Sequence, residues 1–234
     1  MTTRYESVQC ALLYSDAFHV AAPVCVLGRD VWPRQRGVFV RAAHAADAEH
    51  ATDSAEAENP ARAAPSRELA AGQFGLVPRW VKSTSDAKLR STKLVNARSE
   101  TVTTSNNFRD AWLGGQRCIV PMMACLEDDW RSSKAQPTRI ARVDGKPMGV
   151  AGLWESWTGA DGDVIVSYTL LTVNANSHAL MNRYQQPGNE KRMLAILNEG
   201  AYDAWLSARP EKAREFMRAY PANWLAANPV EKSR

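Results

Sequence analysis

The chain contains few of the residues that build disulfide frameworks or metal centres. Its 234 residues include four cysteines and four histidines. The cysteines follow no regular pairing or metal-ligand spacing, and they are Cys10, Cys25, Cys118 and Cys125. We therefore expect reduced thiols, no disulfide framework, no metal and no other cofactor.

Long apolar runs and targeting signals are also absent from the sequence. No stretch of about 18 or more apolar residues occurs, so a membrane-spanning helix is not predicted. The amino terminus lacks the basic region and apolar core of a secretion signal, and a cytoplasmic protein is expected. A hydrophobic content of 45% can fill a substantial core, and we predict a single domain over residues 1–234.

The charge balance is only mildly basic. The formal net charge is +4, with 29 Lys and Arg against 25 Asp and Glu. This balance is compatible with a polyanionic partner, but a strongly basic domain would be needed for charge alone to indicate nucleic-acid binding.

One segment, at about residues 42–71, is dominated by alanine together with Asp, Glu, His and Arg, and it contains Asn59-Pro60 and Pro65. Because its apolar residues are nearly all alanine, the segment has little to bury. We predict a low-complexity surface insertion after a strand at Gly37–Val40, and a flap over a binding groove is the alternative interpretation.

Strand patterns are frequent downstream of that segment. Runs rich in Val, Ile, Thr and Tyr are found at Cys118–Met122, Thr138–Val143, Met148–Trp154 and Val164–Val173. Turn sequences at Asp144-Gly145 and Asp161-Gly162-Asp163 predict hairpins between these runs. Helical patterns occur at Asn106–Leu113, Ala201–Ala208 and Pro210–Tyr220. Since no βαβ alternation is present, the sequence predicts an α+β fold with a curved, largely antiparallel sheet and peripheral helices.

The segment Asn96–Thr101 combines an amide, a guanidinium, two hydroxyls and a carboxylate within six residues. It follows an aromatic and basic run that ends in Arg79 and Trp80. Arg79 and Arg98 can each present a planar fork to phosphate oxygens, and Trp80 offers a stacking face for a base. Asn96 can orient a sugar or a catalytic group. The alternative interpretation is a polar loop beside a buried tryptophan.

Four further segments follow in a fixed order. They are Arg117–Pro121 leading to Glu127, Ala151–Trp157, Leu171–Asn176 and Lys191–Leu197. From about Phe74 to Leu197 the chain resembles the SOS-response-associated peptidase (SRAP) family. The resemblance implies a barrel-like sheet, binding of single-stranded or gapped DNA, and a covalent bond to abasic sites.

The residue at position 2 departs from the family pattern. In the family, removal of the initiator Met exposes a Cys whose amine forms a Schiff base with the abasic aldehyde and whose thiol closes a thiazolidine. Here position 2 is Thr2. Once Met1 is removed by self-cleavage or by an aminopeptidase, Thr2 retains the amine. Its hydroxyl could close an oxazolidine, which should hydrolyse more readily. A non-catalytic DNA-binding relative and a reader of modified bases are the alternatives.

The resemblance also implies roles for three other catalytic positions. Asn96 would position the reacting residue, and Glu127 would transfer protons, although the Gly-Phe-Tyr-Glu-Trp segment of the family is altered around it. By register, the functional His of the family falls on Glu190. Either His178 is brought to the same pocket by its loop, or Glu190 acts as a buried carboxylate with a raised pKa.

Four residues are expected to contact DNA. Arg4, Arg79 and Arg98 match positions that line the DNA groove in the family, and Trp80 is the candidate for base stacking. Most of the other seven tryptophans are expected in the core.

Overall fold

The architecture is α+β, as predicted, with two curved sheets and short peripheral helices. A computed structural model describes residues 1–43, 67–132 and 134–230. The strands are β1 (Tyr5–Glu6), β2 (Asp30–Val31), β3 (Arg36–Ala42), β4 (Arg67–Phe74), β5 (Asn96–Arg98), β6 (Arg117–Met122), β7 (Ala124–Asp129), β8 (Gln136–Arg142), β9 (Met148–Thr158), β10 (Val164–Asn174), β11 (Arg192–Leu194), β12 (Ile196–Leu197) and β13 (Leu225–Pro229).

The α-helices are short. They are α1 (Leu12–Phe18), α2 (Thr84–Ser91), α3 (Arg109–Leu113), α4 (Tyr202–Ser207) and α5 (Pro210–Ala213). Single 3-10 turns occur at Met181–Arg183, Glu199–Ala201, Arg214–Phe216 and Ala222–Trp224. Within the described ranges, no helix is long and apolar enough to cross a membrane.

The larger sheet closes into a barrel. Its strands follow the order β10, β4, β3, β6 and β9, and β9 pairs again with β10. All of these pairings are antiparallel except β4 with β10, which is parallel. Closure leaves no free edge among the five strands. The prediction of a barrel-like, largely antiparallel sheet is therefore confirmed.

Large side chains fill the barrel interior. Tyr5 and Tyr168 share a hydroxyl-to-hydroxyl hydrogen bond, and Phe39 and Phe74 pack against the ring of Tyr168. Gly37 is required beside this pair, because a Cβ atom there would lie 2.0 Å from the Tyr168 hydroxyl. The close approach of backbone and aromatic rings thus fixes a glycine on β3.

The smaller sheet places the start of the chain beside β7. Its antiparallel order is β13, β8, β7, β1 and β2. Pairing of β1 with β7 sets Tyr5 opposite Cys125, and the Leu126 amide donates to the Arg4 carbonyl at 3.1 Å. Residues 1–4 therefore run beside β7 and reach Glu127.

One of the two predicted hairpins is wrong. The turn at Asp161–Asp163 joins β9 and β10, which pair from Thr158 and Val164 onward, as expected. The turn at Asp144–Gly145 instead carries the chain from β8 in the smaller sheet to β9 in the barrel. Gly145 has a φ of 73°, so the local turn is real, but turn chemistry does not determine which sheet the next strand joins.

Two predicted boundaries also need correction. The helix expected at Pro210–Tyr220 ends as α5 at Ala213 and continues only as a 3-10 turn. The low-complexity insertion predicted at about 42–71 overlaps β4, which already begins at Arg67 and pairs with β3. The remaining part of that prediction, residues 44–66, lies outside the described residues.

Candidate functional site

A cleft of about 690 Å³ is lined by residues of both sheets and of the chain start. The lining residues are Met1, Thr3, Arg4, Trp32, Arg98, Leu126, Glu127, Asp128, Trp130, Pro137, Gln185, Gln186, Asn189, Glu190 and Arg192. Four of the residues predicted from sequence thus line one cleft: Arg4, Arg98, Glu127 and Glu190.

Glu127 lies beneath the first two residues of the chain. The Thr2 hydroxyl donates to its Oε1 atom, and the Met1 amine lies 3.7 Å from its Oε2 atom. Both Thr2 and Glu127 are buried. Burial raises the pKa of the Glu127 carboxyl, and the nearby N-terminal ammonium and the Thr2 hydroxyl offset only part of that rise. Glu127 can therefore both hold and release a proton next to the start of the chain.

Asn96 holds the backbone of Thr2. Strand β5 runs parallel to β10, with Asn96 opposite Leu170, and the Asn96 Nδ2 atom donates to the Thr2 carbonyl at 2.7 Å. The Oδ1 atom of the same amide is buried and has no hydrogen-bond partner within residues 1–43, 67–132 and 134–230. A buried polar atom left unpaired is uncommon and costly. This oxygen is free to accept a hydrogen bond from a bound substrate.

Glu190 lies in the cleft but not in the predicted protonation state. Its Oε2 atom is 2.8 Å from Arg98 Nη1, its Oε1 atom is 2.9 Å from Arg192 Nη1, and Asn174 Nδ2 donates to it at 2.7 Å. Its side chain is 32% exposed. Hydrogen bonds from Asn174 and Arg192 hold the pKa of Glu190 below its usual value. The expectation of a buried carboxylate with a raised pKa is therefore wrong.

Arg192 is a site residue that was not singled out from the sequence. It is 2% exposed, donates to both carboxylate oxygens of Glu100 at 3.0 and 2.7 Å, and donates to the Thr172 carbonyl at 2.8 Å. These bonds fix the guanidinium beside Glu190. The signal that could have identified it is the two-residue spacing from Glu190, since alternate residues of an extended segment share a face.

His178 lies outside the cleft, contrary to one of the two alternatives drawn from sequence. Its Nε2 atom is 2.7 Å from the Tyr220 carbonyl, and its Nδ1 atom accepts from the amides of Leu180 and Met181 at 3.2 and 2.9 Å. Because two backbone amides donate to Nδ1, the partners assign the tautomer in which Nε2–H donates to the Tyr220 carbonyl. The imidazole closes a 3-10 turn, and both of its nitrogens are occupied by backbone groups.

Arg79 and Trp80 do not line the cleft either. The Arg79 Nε atom binds buried Glu155 at 2.6 Å, and the Trp80 indole N–H donates to the Asn106 carbonyl at 3.0 Å. The guanidinium of Arg90 lies 4.4 Å from the centre of the Trp80 ring. The structure therefore does not place these two residues together with Arg98, and Trp80 has one face already covered.

Arg4 lines the cleft beside a tryptophan that was not among the predicted site residues. Its guanidinium carbon lies 4.9 Å from the centre of the Trp32 ring. Among the described residues, Arg4 has no carboxylate partner. Trp130 lines the same cleft. The sequence signal that could have identified Trp32 is its position before Pro33, at a turn where an aromatic side chain has little to pack against.

No cysteine is among the described residues that line the cleft. Cys118 and Cys125 are buried, and burial raises the pKa of both thiols. In the part of the chain that the structure describes, no group of three or more His, Cys, Asp or Glu is arranged to hold a metal ion.

Several known proteins are similar to this chain in fold or in sequence. The crystal structure of a protein from Bordetella bronchiseptica superposes with a TM-score of 0.84 at 37% identity, covering 98% of this chain and 100% of that one. Abasic site processing protein YoqW of Bacillus subtilis (strain 168) is 29% identical over 162 residues, which is 68% of this chain and 67% of YoqW.

A vertebrate relative matches this chain over only about half of its own length. Abasic site processing protein HMCES of Gallus gallus is 26% identical over 179 residues, covering 68% of this chain but 51% of HMCES. The model of the family described as SOS response associated peptidase (SRAP) matches residues 8–233. The resemblance inferred from the ordered motifs is thereby confirmed, and the chain belongs to the SRAP family.

Proposed function

We propose that this chain binds single-stranded DNA in the cleft and processes abasic sites through a covalent bond to its own N-terminal residue. The observation that carries the proposal is the contact of Glu127 and Asn96 with the first two residues of the chain. The Met1 amine and the Thr2 hydroxyl both face its carboxylate, and Asn96 holds the Thr2 carbonyl at 2.7 Å. The relatives named abasic site processing proteins support the same assignment.

The first step of the proposal removes Met1. Glu127 accepts the proton of the Thr2 hydroxyl while the Thr2 oxygen attacks the Met1 carbonyl carbon. The peptide C–N bond then breaks, the proton passes to the Thr2 nitrogen, and a methionyl ester on the Thr2 oxygen remains. Water hydrolyses this ester, which releases methionine and leaves Thr2 with a free amine and a free hydroxyl. An aminopeptidase could yield the same product, and the two routes differ in their need for Glu127.

The second step captures the lesion. The Thr2 amine adds to the aldehyde carbon of the open abasic sugar, and loss of one water gives a Schiff base. Glu127 supplies the proton that the departing hydroxyl needs and takes the proton that the nitrogen releases. Addition of the Thr2 hydroxyl to the imine carbon, with its proton passing to nitrogen, closes an oxazolidine. Asn96 Oδ1 is buried and unpaired in the part of the chain that the structure describes, and it is available to accept a hydrogen bond from the sugar.

The depth of the reactive groups favours an unpaired lesion. Thr2 is 2% exposed and Glu127 is 5% exposed, at the base of the cleft. A sugar inside a duplex cannot reach such groups without leaving the stack, which costs least in a single strand. Arg98 and Arg4 lie at the cleft wall, where guanidinium groups can bind backbone phosphates on either side of the lesion.

A denaturing gel tests the reaction. The purified protein is incubated with an oligonucleotide containing one abasic site, with and without borohydride. We expect a DNA-protein species that requires borohydride, because the Schiff base and the oxazolidine are reversible. In Thr2→Cys the species should survive without borohydride. If neither protein forms a covalent species under either condition, the covalent mechanism is wrong.

Mass spectrometry of the intact protein complements the gel. Loss of Met1 in the wild type and its retention in Glu127→Gln would identify self-cleavage. Loss of Met1 in both proteins would identify an aminopeptidase. Retention of Met1 in the wild type would contradict the proposal, because the Thr2 amine would then be part of a peptide bond.

A non-catalytic DNA-binding protein is the second candidate. Position 2 is Thr2 and lacks a thiol, and the SRAP match begins only at residue 8. This candidate predicts binding to single-stranded DNA of equal affinity with and without an abasic site, and no covalent species even after borohydride.

A further inference from the structure

Trp32 presents an indole to the cleft that contains the reactive start of the chain. Its relative exposure is 44%, which is high for a side chain of this size. Its indole N–H has no partner among the described residues. We propose that Trp32 is the stacking platform for an unpaired nucleobase adjacent to the lesion. This inference rests on the proposed function and extends it to a base-binding subsite.

A tight turn holds Trp32 in place. The Gln35 amide donates to the Trp32 carbonyl at 2.9 Å, and the Trp32 amide donates to the Gln35 side chain at 2.9 Å. Pro33 and Arg34 occupy the centre of the turn, and Arg34 has a φ of 70°, as the third position of a type II turn requires. The Arg34 amide also donates to the Phe74 carbonyl of the barrel at 2.7 Å. The backbone beneath the indole is therefore preorganised.

Arg4 completes the subsite. Its guanidinium covers one face of the Trp32 ring, with its carbon 4.9 Å from the ring centre. The Arg4 carbonyl is bound to β7 through the Leu126 amide at 3.1 Å. Without a carboxylate partner in the described ranges, the guanidinium can bind the phosphate of the nucleotide whose base stacks on the opposite indole face. One base and one phosphate would thus be bound by two adjacent residues.

Trp130 adds a second aromatic side chain to the same cleft, whereas Trp80 does not reach it. The Trp80 indole N–H is already bound to Asn106, and the guanidinium on its ring belongs to Arg90, which is fixed by Asp86 at 2.8 Å. Exposure does not separate the two tryptophans, since Trp32 is 44% exposed and Trp80 39%. Trp32 differs in lining the cleft and in having no partner for its indole N–H among the described residues. The stacking role expected for Trp80 from sequence is therefore better met by Trp32.

Two oligomers of about ten nucleotides separate base contacts from phosphate contacts. One is oligothymidylate, and the other consists of tetrahydrofuran abasic units with the same phosphates and no bases. Affinities are measured by fluorescence anisotropy for the wild type, Trp32→Leu, Trp32→Phe and Trp80→Leu. Trp224→Leu is the control, because Trp224 is 48% exposed and does not line the cleft.

Trp32→Leu should weaken oligothymidylate binding by about tenfold and leave binding of the base-free oligomer unchanged. Trp32→Phe should retain most of the affinity, because a phenyl ring also stacks. Oligothymidylate should quench tryptophan emission of the wild type more than that of Trp32→Phe, and this measurement does not depend on the folding of the leucine variant.

Three outcomes would overturn the inference. If Trp32→Leu lost affinity equally for both oligomers, or lost none, Trp32 would not act by stacking, while the proposed function would still stand. A loss specific to Trp80→Leu would assign stacking to Trp80. If the wild type bound neither oligomer, the proposed function itself would fail, and the base subsite with it.

Discussion

Two regions of this molecule contain the same kinds of residue and differ in whether their hydrogen-bonding capacity is already used. In the region around Glu155, Arg79 and Gln116 both donate to the carboxylate, and Trp80 donates to a backbone carbonyl. At the cleft, Arg4 has no carboxylate partner within the described residues. The buried Oδ1 atom of Asn96, whose amide holds Thr2, has no hydrogen-bond partner among them either.

The difference shows that residue type alone does not locate the site. An arginine and a buried glutamate stabilise the fold when they are bound to each other, and so does a tryptophan whose indole N–H is bound to the backbone. The same residue types can bind a substrate when donors and acceptors remain free. We therefore expect the Glu155 region to have a structural role and the cleft to perform the proposed function.

The largest expected effect contrasts the two buried glutamates. Glu127→Gln should slow formation of the borohydride-trapped species by about 100-fold or more, because an amide cannot transfer the protons that the carboxyl transfers. Glu155→Gln should react at close to the wild-type rate. Initial rates from denaturing gels, using protein with Met1 already removed, measure both. Similar rates for the two variants would remove the distinction between the regions.

The second contrast compares Arg98 with Arg79. Arg98→Ala should weaken binding of single-stranded DNA by about tenfold and reduce the slope of log affinity against log salt by about one. Arg79→Ala should leave affinity within about twofold but lower the free energy of unfolding by about 1–3 kcal/mol, because buried Glu155 loses a partner. Salt titrations and urea denaturation distinguish the two. Loss of DNA affinity in Arg79→Ala would restore the role expected from sequence.

The third contrast lies within the cleft. Glu190 occupies the space between Arg98 and Arg192 that a phosphate would use. Glu190→Gln should therefore bind DNA about threefold more tightly than Asp128→Asn does. Asp128→Asn is the matched control, because it also removes one negative charge from the same cleft. Anisotropy titrations measure both variants. Weaker binding by Glu190→Gln would mean that the carboxylate orients the arginines rather than competing with phosphate.

The smallest effect is a dependence of stability on pH. Burial raises the pKa of Glu127 in the folded state above its unfolded value of about 4.3. The protonated carboxyl therefore contributes fully to the free energy of unfolding at acid pH. That stability is lost as the pH rises through the folded pKa. Glutamine stays neutral, so Glu127→Gln should gain stability relative to the wild type between pH 4 and pH 7. Urea denaturation at both values tests this, and a relative loss on raising the pH would contradict it.

The barrel could be predicted from sequence where strands are long. Val164–Val173 and Met148–Trp154 have clear β patterns, and the turn at Asp161–Asp163 joins them as expected. The two-residue strand β1 carries no such pattern, yet its pairing with β7 positions Thr2. Short elements are specified by tertiary contacts rather than by local propensity, and this is why the chain start could not be placed beforehand.

The site could be predicted only where motif and geometry coincide. Asn96 and Glu127 were identified by their place in ordered motifs, and both contact Thr2. His178 was considered because of its residue type, but its ring nitrogens are bound to backbone groups that only the fold reveals. Trp32 lies before the ordered motifs, which begin at about Phe74, so no motif points to it.

Strand β5 links the amide and the guanidinium of the cleft through its register on β10. Asn96 lies opposite Leu170 and Arg98 opposite Thr172, with buried Ala97 between them on the other face. A single inserted or deleted residue in the preceding loop that shifted this register would turn both polar side chains inward at once. Length changes just upstream of Asn96 should therefore be among the least tolerated indels in the chain, even though the strand itself is only three residues long.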